Sequence, residues 1–145
     1  MSTSTAVTLL PEVTEFLSSD SFPGFVGGKD YPAASGNVVA TIDPGSGNRI
    51  ADVHDLSPSE VDHAVDAAND AFPAWAALPQ EDRSAILLRL ADAVEERKSI
   101  IAQIEAMEAG KIEAQAQGDV QNFVDTLRYF VQLAEFVEGD QRNSM

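Results

Sequence analysis

"FPAWAALPQEDRSAILLRLADAVEER", Phe72 to Arg97, decides how this chain is read. It opens on a proline and a tryptophan, meets a second proline at Pro79, and then settles into apolar residues three and four apart. That spacing lines Ile86, Leu87, Leu90 and Val94 along one side of a helix. With Gly110 as a stop signal, the helix is expected to run from Gln80 to Ala109 and to carry the stripe on through Ile101, Ile104 and Met107.

The preceding segment, "SPSEVDHAVDAANDAF", is helical with firm punctuation. Ser57 reads as the N-cap, Pro58 as the first helical residue and Glu60 as the partner in a capping box. Val61, Ala64, Val65, Ala68, Ala71 and Phe72 share one face, and Pro73 is expected to close the helix. Asp62, Asp66 and Asp70 fall on another face, either as a metal stripe or, with no further ligand in view, as a solvated acidic surface. A third helix is expected from Glu113 to Glu138. Its stripe is Val120, Phe123, Val124, Leu127, Phe130, Val131, Ala134 and Val137, wide and aromatic enough to require a broad apolar partner.

Upstream the period is that of strands. "FVGGKDY" is a short strand with a Gly-Gly turn, and "NVVATID" and "NRIADVH" flank the tight connection "PGSG" to form a β-hairpin. Residues 1–24 read as a flexible N-terminal arm in which "PEVTEFLSS" can make a short helix carrying Val13, Phe16 and Leu17 on one side, before Pro23 and Gly24 break it. Residues 140–145 are a polar tail. The expected class is α+β, mainly helical: arm and β-hairpin, then three amphipathic helices.

Composition narrows function. The 145 residues are 44% hydrophobic and 23% charged, which fits one globular domain. Twenty-four acidic residues against nine basic ones give a formal charge of −15, so neither nucleic acid nor an anionic membrane is an expected partner. No apolar run approaches the roughly 20 residues of a spanning helix. The N-terminus "MSTSTAVTLL" lacks the basic start of a secretory leader, and cytoplasm is the expected location. Cysteine is absent, which removes disulfides, thiolate metal sites and any thiol nucleophile from these residues.

No catalytic residue is assigned. His54 ends a strand and His63 lies among helical acids, so both read as surface residues rather than bases. Glu105 and Glu108, at helical spacing in "EAMEAGK", could divide acid and base roles; facing solvent or pairing with Lys111 is the simpler reading. No cofactor-binding residue is assigned either. The glycine turns precede strands or sit inside a hairpin, whereas a dinucleotide loop joins a strand to a helix N-terminus.

Taken in order, "FVGGKDY", "TIDPGSGNRIADV", "VDHAVDAANDAFPAWAALPQEDRSAILLRLADAVEE", "EAMEAGK" and "GDVQNFVDTLRYF" resemble the N-terminal region of the aldehyde dehydrogenase superfamily, over about residues 25–139. The resemblance implies that 25–139 is a truncated N-terminal part of the family's cofactor domain. It also implies an NAD(P)-dependent oxidation of aldehydes to carboxylic acids whose thiolate, glutamate and dinucleotide loop lie downstream of the matched region. NAD or NADP is therefore implied for the full-length family, and no cofactor for this chain. Thr41 and Ile42 match a place where some members bind a monovalent cation, and Glu108 matches an acidic position of the same site. Read by themselves, Thr41 continues its strand and Glu108 ends its helix. Ile112 stands where the family often has proline after Gly-Lys, which should alter the entry to the third helix. The family's helices bury their apolar sides on a sheet absent from these residues. Each large side chain left in water forfeits roughly 1.5–3 kcal/mol. A homo-oligomer or a complementary aldehyde dehydrogenase chain is the expected partner, and no activity is expected of the chain alone.

Overall fold

A computed structural model describes residues 8–19, 21–134 and 136. Helix α1 (Pro11–Phe16) leads into strands β1 (Ser21–Phe22), β2 (Gly24–Val26), β3 (Lys29–Tyr31), β4 (Val38–Ile42) and β5 (Arg49–His54). Helices α2 (Pro58–Ala77), α3 (Gln80–Glu96), α4 (Lys98–Ala109) and α5 (Glu113–Ala134) complete the order. The mainly helical α+β class is as expected. None of these helices is long and apolar enough to cross a membrane.

Turn chemistry sets the strands. Gly27 and Gly28 both hold positive φ, 59° and 79°, which closes β2 on β3 through a two-residue loop matched to strand twist. Between β4 and β5, the Asp43 carboxylate accepts the Gly45 N–H at 2.8 Å and the Ser46 hydroxyl at 2.6 Å. The Ser46 hydroxyl first, and then the Gly45 N–H, hold that carboxyl below its ordinary range. β4 and β5 pair antiparallel with a register shift between Thr41 and Ile42, while β1 pairs parallel to β5 and makes the sheet order β1-β5-β4. The expected hairpin is therefore present, with a second hairpin and a parallel edge strand beside it.

Residues 8–13 are tied to α4. Gln103 of α4, itself buried, accepts the Leu10 N–H at 2.9 Å and donates to the Thr8 carbonyl at 3.4 Å. Val13 is buried completely, whereas Phe16 stacks on Phe22 and stays half exposed.

Two helix boundaries differ from expectation. The single helix over Gln80–Ala109 is two helices, α3 and α4, meeting at Arg97, whose φ of −103° and ψ of 12° lie outside helical geometry. No glycine or proline marks the spot. Both segments contact α5, where Lys98 Nζ donates to Gln121 Oε1 at 2.9 Å. The Arg97 guanidinium donates to the Ala93 carbonyl at 3.2 Å and so satisfies one group freed at the α3 end. Pro73, in turn, does not close α2, which continues to Ala77. A helical proline removes one backbone bond, and on an exposed helix water can take its place. α2 stops instead at Leu78, extended because Pro79 follows it. Among the described residues four helices, not three, thus follow the strands. α5 is described to Ala134; Val137, Glu138, Gly139 and the tail 140–145 lie outside the described residues.

The core is built of small side chains. Ala102, Ala116 and Val120 form its centre, with Val94, Ile101 and Ala106 packed around them. Val13 and Val124 are the largest fully buried side chains among the described residues. On α3 the buried line passes through Ser84 and Ala91, so Ile86 and Leu90, expected inside, are turned outward. Ion pairs fasten the rim: Arg128 of α5 reaches Asp92 and Glu95 of α3, each at 2.7 Å.

Gly110 ends α4 in left-handed geometry at φ 64°, and a Cβ there would stand 2.6 Å from Pro44 Cγ of the β4–β5 turn. Gly118, inside α5, has open space around it. The two glycines should respond oppositely to alanine. Gly110→Ala is expected to destabilise by at least about 1–2 kcal/mol, from αL strain and the proline clash. Gly118→Ala should stabilise by about 0.8–1 kcal/mol through helix propensity. Urea unfolding midpoints of the two variants check both signs.

Candidate functional site

The β4–β5 turn and the end of α4 meet through Pro44 and Gly110, and that contact brings the sequence-predicted residues together. Thr41 Oγ1 lies 3.5 Å from Glu108 Oε1, across 67 residues of chain. Ile42 follows Thr41 at the bulge of β4, its side chain half exposed. At that distance the hydroxyl and carboxylate are only loosely engaged, so both oxygens keep lone pairs for another group. Glu105 is separate: it accepts Lys111 Nζ at 2.6 Å, and Asp119 accepts the same ammonium at 2.8 Å. Asp119 first, then Glu105, raise the Lys111 pKa. The two glutamates of "EAMEAGK" therefore point to different partners and do not form an acid–base pair. Among the described residues no group of three or more His, Cys, Asp or Glu is placed to hold a metal ion, and Asp62, Asp66 and Asp70 are exposed.

A second polar cluster closes the start of α2. The Glu60 carboxylate accepts the N–H and the hydroxyl of Ser57, both at 2.7 Å, and the Ala34 N–H at 2.7 Å. The capping box is as expected; the anchor to Ala34 is additional, and no spacing in the sequence announces it. His54 Nδ1 accepts the neighbouring Ala33 N–H at 3.1 Å, and His63 stacks on Tyr31. Both histidines hold structure together, and neither has a nucleophile as partner.

In the described element order the strand-to-helix connection is β5–α2, through Asp55, Leu56 and Ser57, with no glycine. The N-terminus of α2 already has a carboxylate on it, where a pyrophosphate would need free N–H groups.

The largest unsatisfied feature is apolar. α2 packs only lightly on the rest, and its face exposes Val61, Val65, Phe72 and Trp75. On α5 the stripe divides. Ala116, Val120, Val124 and Val131 are buried against α3 and α4, while Phe123, Phe130 (59% exposed) and Leu133 face water. A shallow groove lined by Gln80, Phe130, Leu133 and Ala134 lies at this edge.

The family model for the aldehyde dehydrogenase family matches residues 31–145. The chain belongs to the aldehyde dehydrogenase family. It is similar to the NAD+ complex of aldehyde dehydrogenase from Bacillus cereus, with 29% identity and a TM-score of 0.86 over 92% of this chain and 28% of that one. It is similar as well to the NAD-dependent aldehyde dehydrogenase from Sinorhizobium meliloti, with 30% identity, a TM-score of 0.80, and coverage of 93% and 27%. A third likeness is to an aldehyde dehydrogenase described as putative from Burkholderia cenocepacia, with 33% identity, a TM-score of 0.78, and coverage of 82% and 24%. This aldehyde dehydrogenase-family chain spans about a quarter of the length of those relatives and has the conformation of that part of them. At the entry to α5 the Ile112 carbonyl accepts the N–H groups of Gln115 and Ala116.

Glu60 supplies a pH prediction. The Ala34 N–H first, and then the Ser57 hydroxyl and N–H, hold its carboxyl below the usual range. Such a group stabilises the fold above the unfolded carboxylate pKa, about 4.3, and the stabilisation disappears as pH falls through its lower folded value. Glu60→Gln should therefore be less stable than the parent at neutral pH, with the gap closing in acid. Urea midpoints measured across that range test the sign.

Proposed function

We propose that this chain is the N-terminal portion of an NAD(P)-dependent aldehyde dehydrogenase-type oxidoreductase and has no dehydrogenase activity by itself. The observation carrying this reading is that 145 residues matching about a quarter of the family's solved chains contain no cysteine and expose broad apolar helix faces. The family reaction converts an aldehyde to a carboxylic acid with a thiolate nucleophile and a dinucleotide, and these residues supply neither the thiolate nor the dinucleotide loop. Their contribution is architectural: α2 and the outer edge of α5 present the surface on which a complementary aldehyde dehydrogenase chain, or the rest of the polypeptide, settles. The cytoplasm is the proposed compartment. The purified chain should form no NADH or NADPH from any aldehyde, while a complementary chain carrying the thiolate and the dinucleotide loop should regain turnover when mixed with it. Aldehyde-dependent reduction by this chain alone would overturn the reading.

The second reading is a non-catalytic module that self-associates through the same faces, favoured by the exposure of Phe72 (63%) together with Phe130. Size measurement separates the two. Under this reading the parent is a concentration-dependent homo-oligomer, and the double variant Phe72→Ser, Phe130→Ser shifts it to monomer without losing helix content. A parent that stays monomeric at all concentrations rejects it.

The oxygens of Thr41 and Glu108, with Ile42 beside them, are proposed as part of a monovalent cation site, on the strength of their 3.5 Å approach. Sodium should then raise the melting temperature more than tetramethylammonium at equal ionic strength, and Glu108→Gln should erase that difference. Equal effects of the two cations on the parent would count against the site.

A further inference from the structure

The two histidines of this chain converge on one short segment, Tyr31–Ala34, which carries the β2–β3 hairpin into β4. His54 Nδ1 accepts the Ala33 N–H at 3.1 Å, the His63 ring stacks on Tyr31 with centroids 5.5 Å apart, and Glu60 Oε1 accepts the Ala34 N–H at 2.7 Å. Ala33 is buried, and its carbonyl accepts the Gly36 N–H at 3.0 Å. Two consecutive N–H groups are thus held by side chains from different elements, one at the end of β5 and one in the first turn of α2.

The acceptors differ in one respect. A carboxylate keeps its lone pairs across the physiological range, whereas an imidazole can accept only while the nitrogen concerned is unprotonated. A proton on Nδ1 converts the acceptor into a donor facing another donor. We propose that His54 is a pH-operated latch on the segment 31–36: unprotonated at Nδ1 it holds Ala33, protonated it lets Ala33 go, while Glu60 retains Ala34. Of the two side-chain bonds to Ala33 and Ala34, one then remains. The charged and titratable groups near this junction are Glu60 and His63 of α2, Lys29, Asp30 and Tyr31 of β3, and Asp55 after β5; Asp52 of β5 is paired with Arg49 at 2.8 Å. Glu60 is taken up by Ser57 and Ala34, so it is not free to replace the lost acceptor.

A general loosening in acid is a different event, and the test must separate them. In the full chain, the His54 imidazole and the amide exchange of Ala33 and Ala34 are followed together by NMR from about pH 7.5 to 5, where histidine changes charge. Loss of a single bond of this kind should lower the Ala33 protection factor by about tenfold in step with His54 protonation, with Ala34 unchanged. His54→Asn places a non-titrating oxygen near the Nδ1 position and should keep Ala33 protected at both ends. His63→Gln should leave the step in place. The latch is refuted by any of three results: Ala33 protection that survives protonation of His54, a step that persists in His54→Asn, or one that disappears with His63.

Discussion

Small side chains set the distance between α5 and the α3–α4 pair, and most of the fold follows from that approach. Helices come close when alanine and valine line the seam, because nothing longer holds the backbones apart. Ala102, Ala116, Val120 and Val124 occupy it here. A seam this narrow has no room for Phe123, Phe130 or Leu90, so the bulkier residues lie on its flanks.

The same arrangement accounts for the apolar surfaces. In a self-sufficient small domain the large side chains fill the middle and the small ones lie wherever helices touch. Among the described residues of this aldehyde dehydrogenase-family chain the largest completely buried side chains are valines, while Phe16, Phe72, Phe123 and Phe130 are exposed on helices. Single exposed hydrophobics are ordinary on any protein; here they recur along two helices.

What the sequence made legible was local chemistry. The Gly-Gly hairpin, the PGSG connection, the Ser57–Glu60 cap and the helix stop at Gly110 each depend on residues within a few positions of one another, and each is present. What it hid depended on the third dimension. The helix runs on through Pro73, and the next one breaks at Arg97 where no glycine or proline stands. Period alone drew the α3 stripe through Ile86 and Leu90, because hydrophobicity outranks size in such a count, whereas the structure buries Ser84 and Ala91. Gln103, which anchors the arm, resembles any polar residue in a helix until Thr8 and Leu10 are seen beside it. The approach of Thr41 to Glu108 had no signal in composition or spacing. It came only with the family resemblance.

Two of the nine cations of this acidic chain sit at joints between helices. Lys111 lies between Glu105 and Asp119 where α4 turns into α5, and Arg128 ties α5 to α3. Acetylation or carbamylation of Lys111 would therefore act as more than a loss of one charge. It would leave two carboxylates confronting each other across a bend, and the repulsion would push apart the helices whose close approach the rest of the molecule needs.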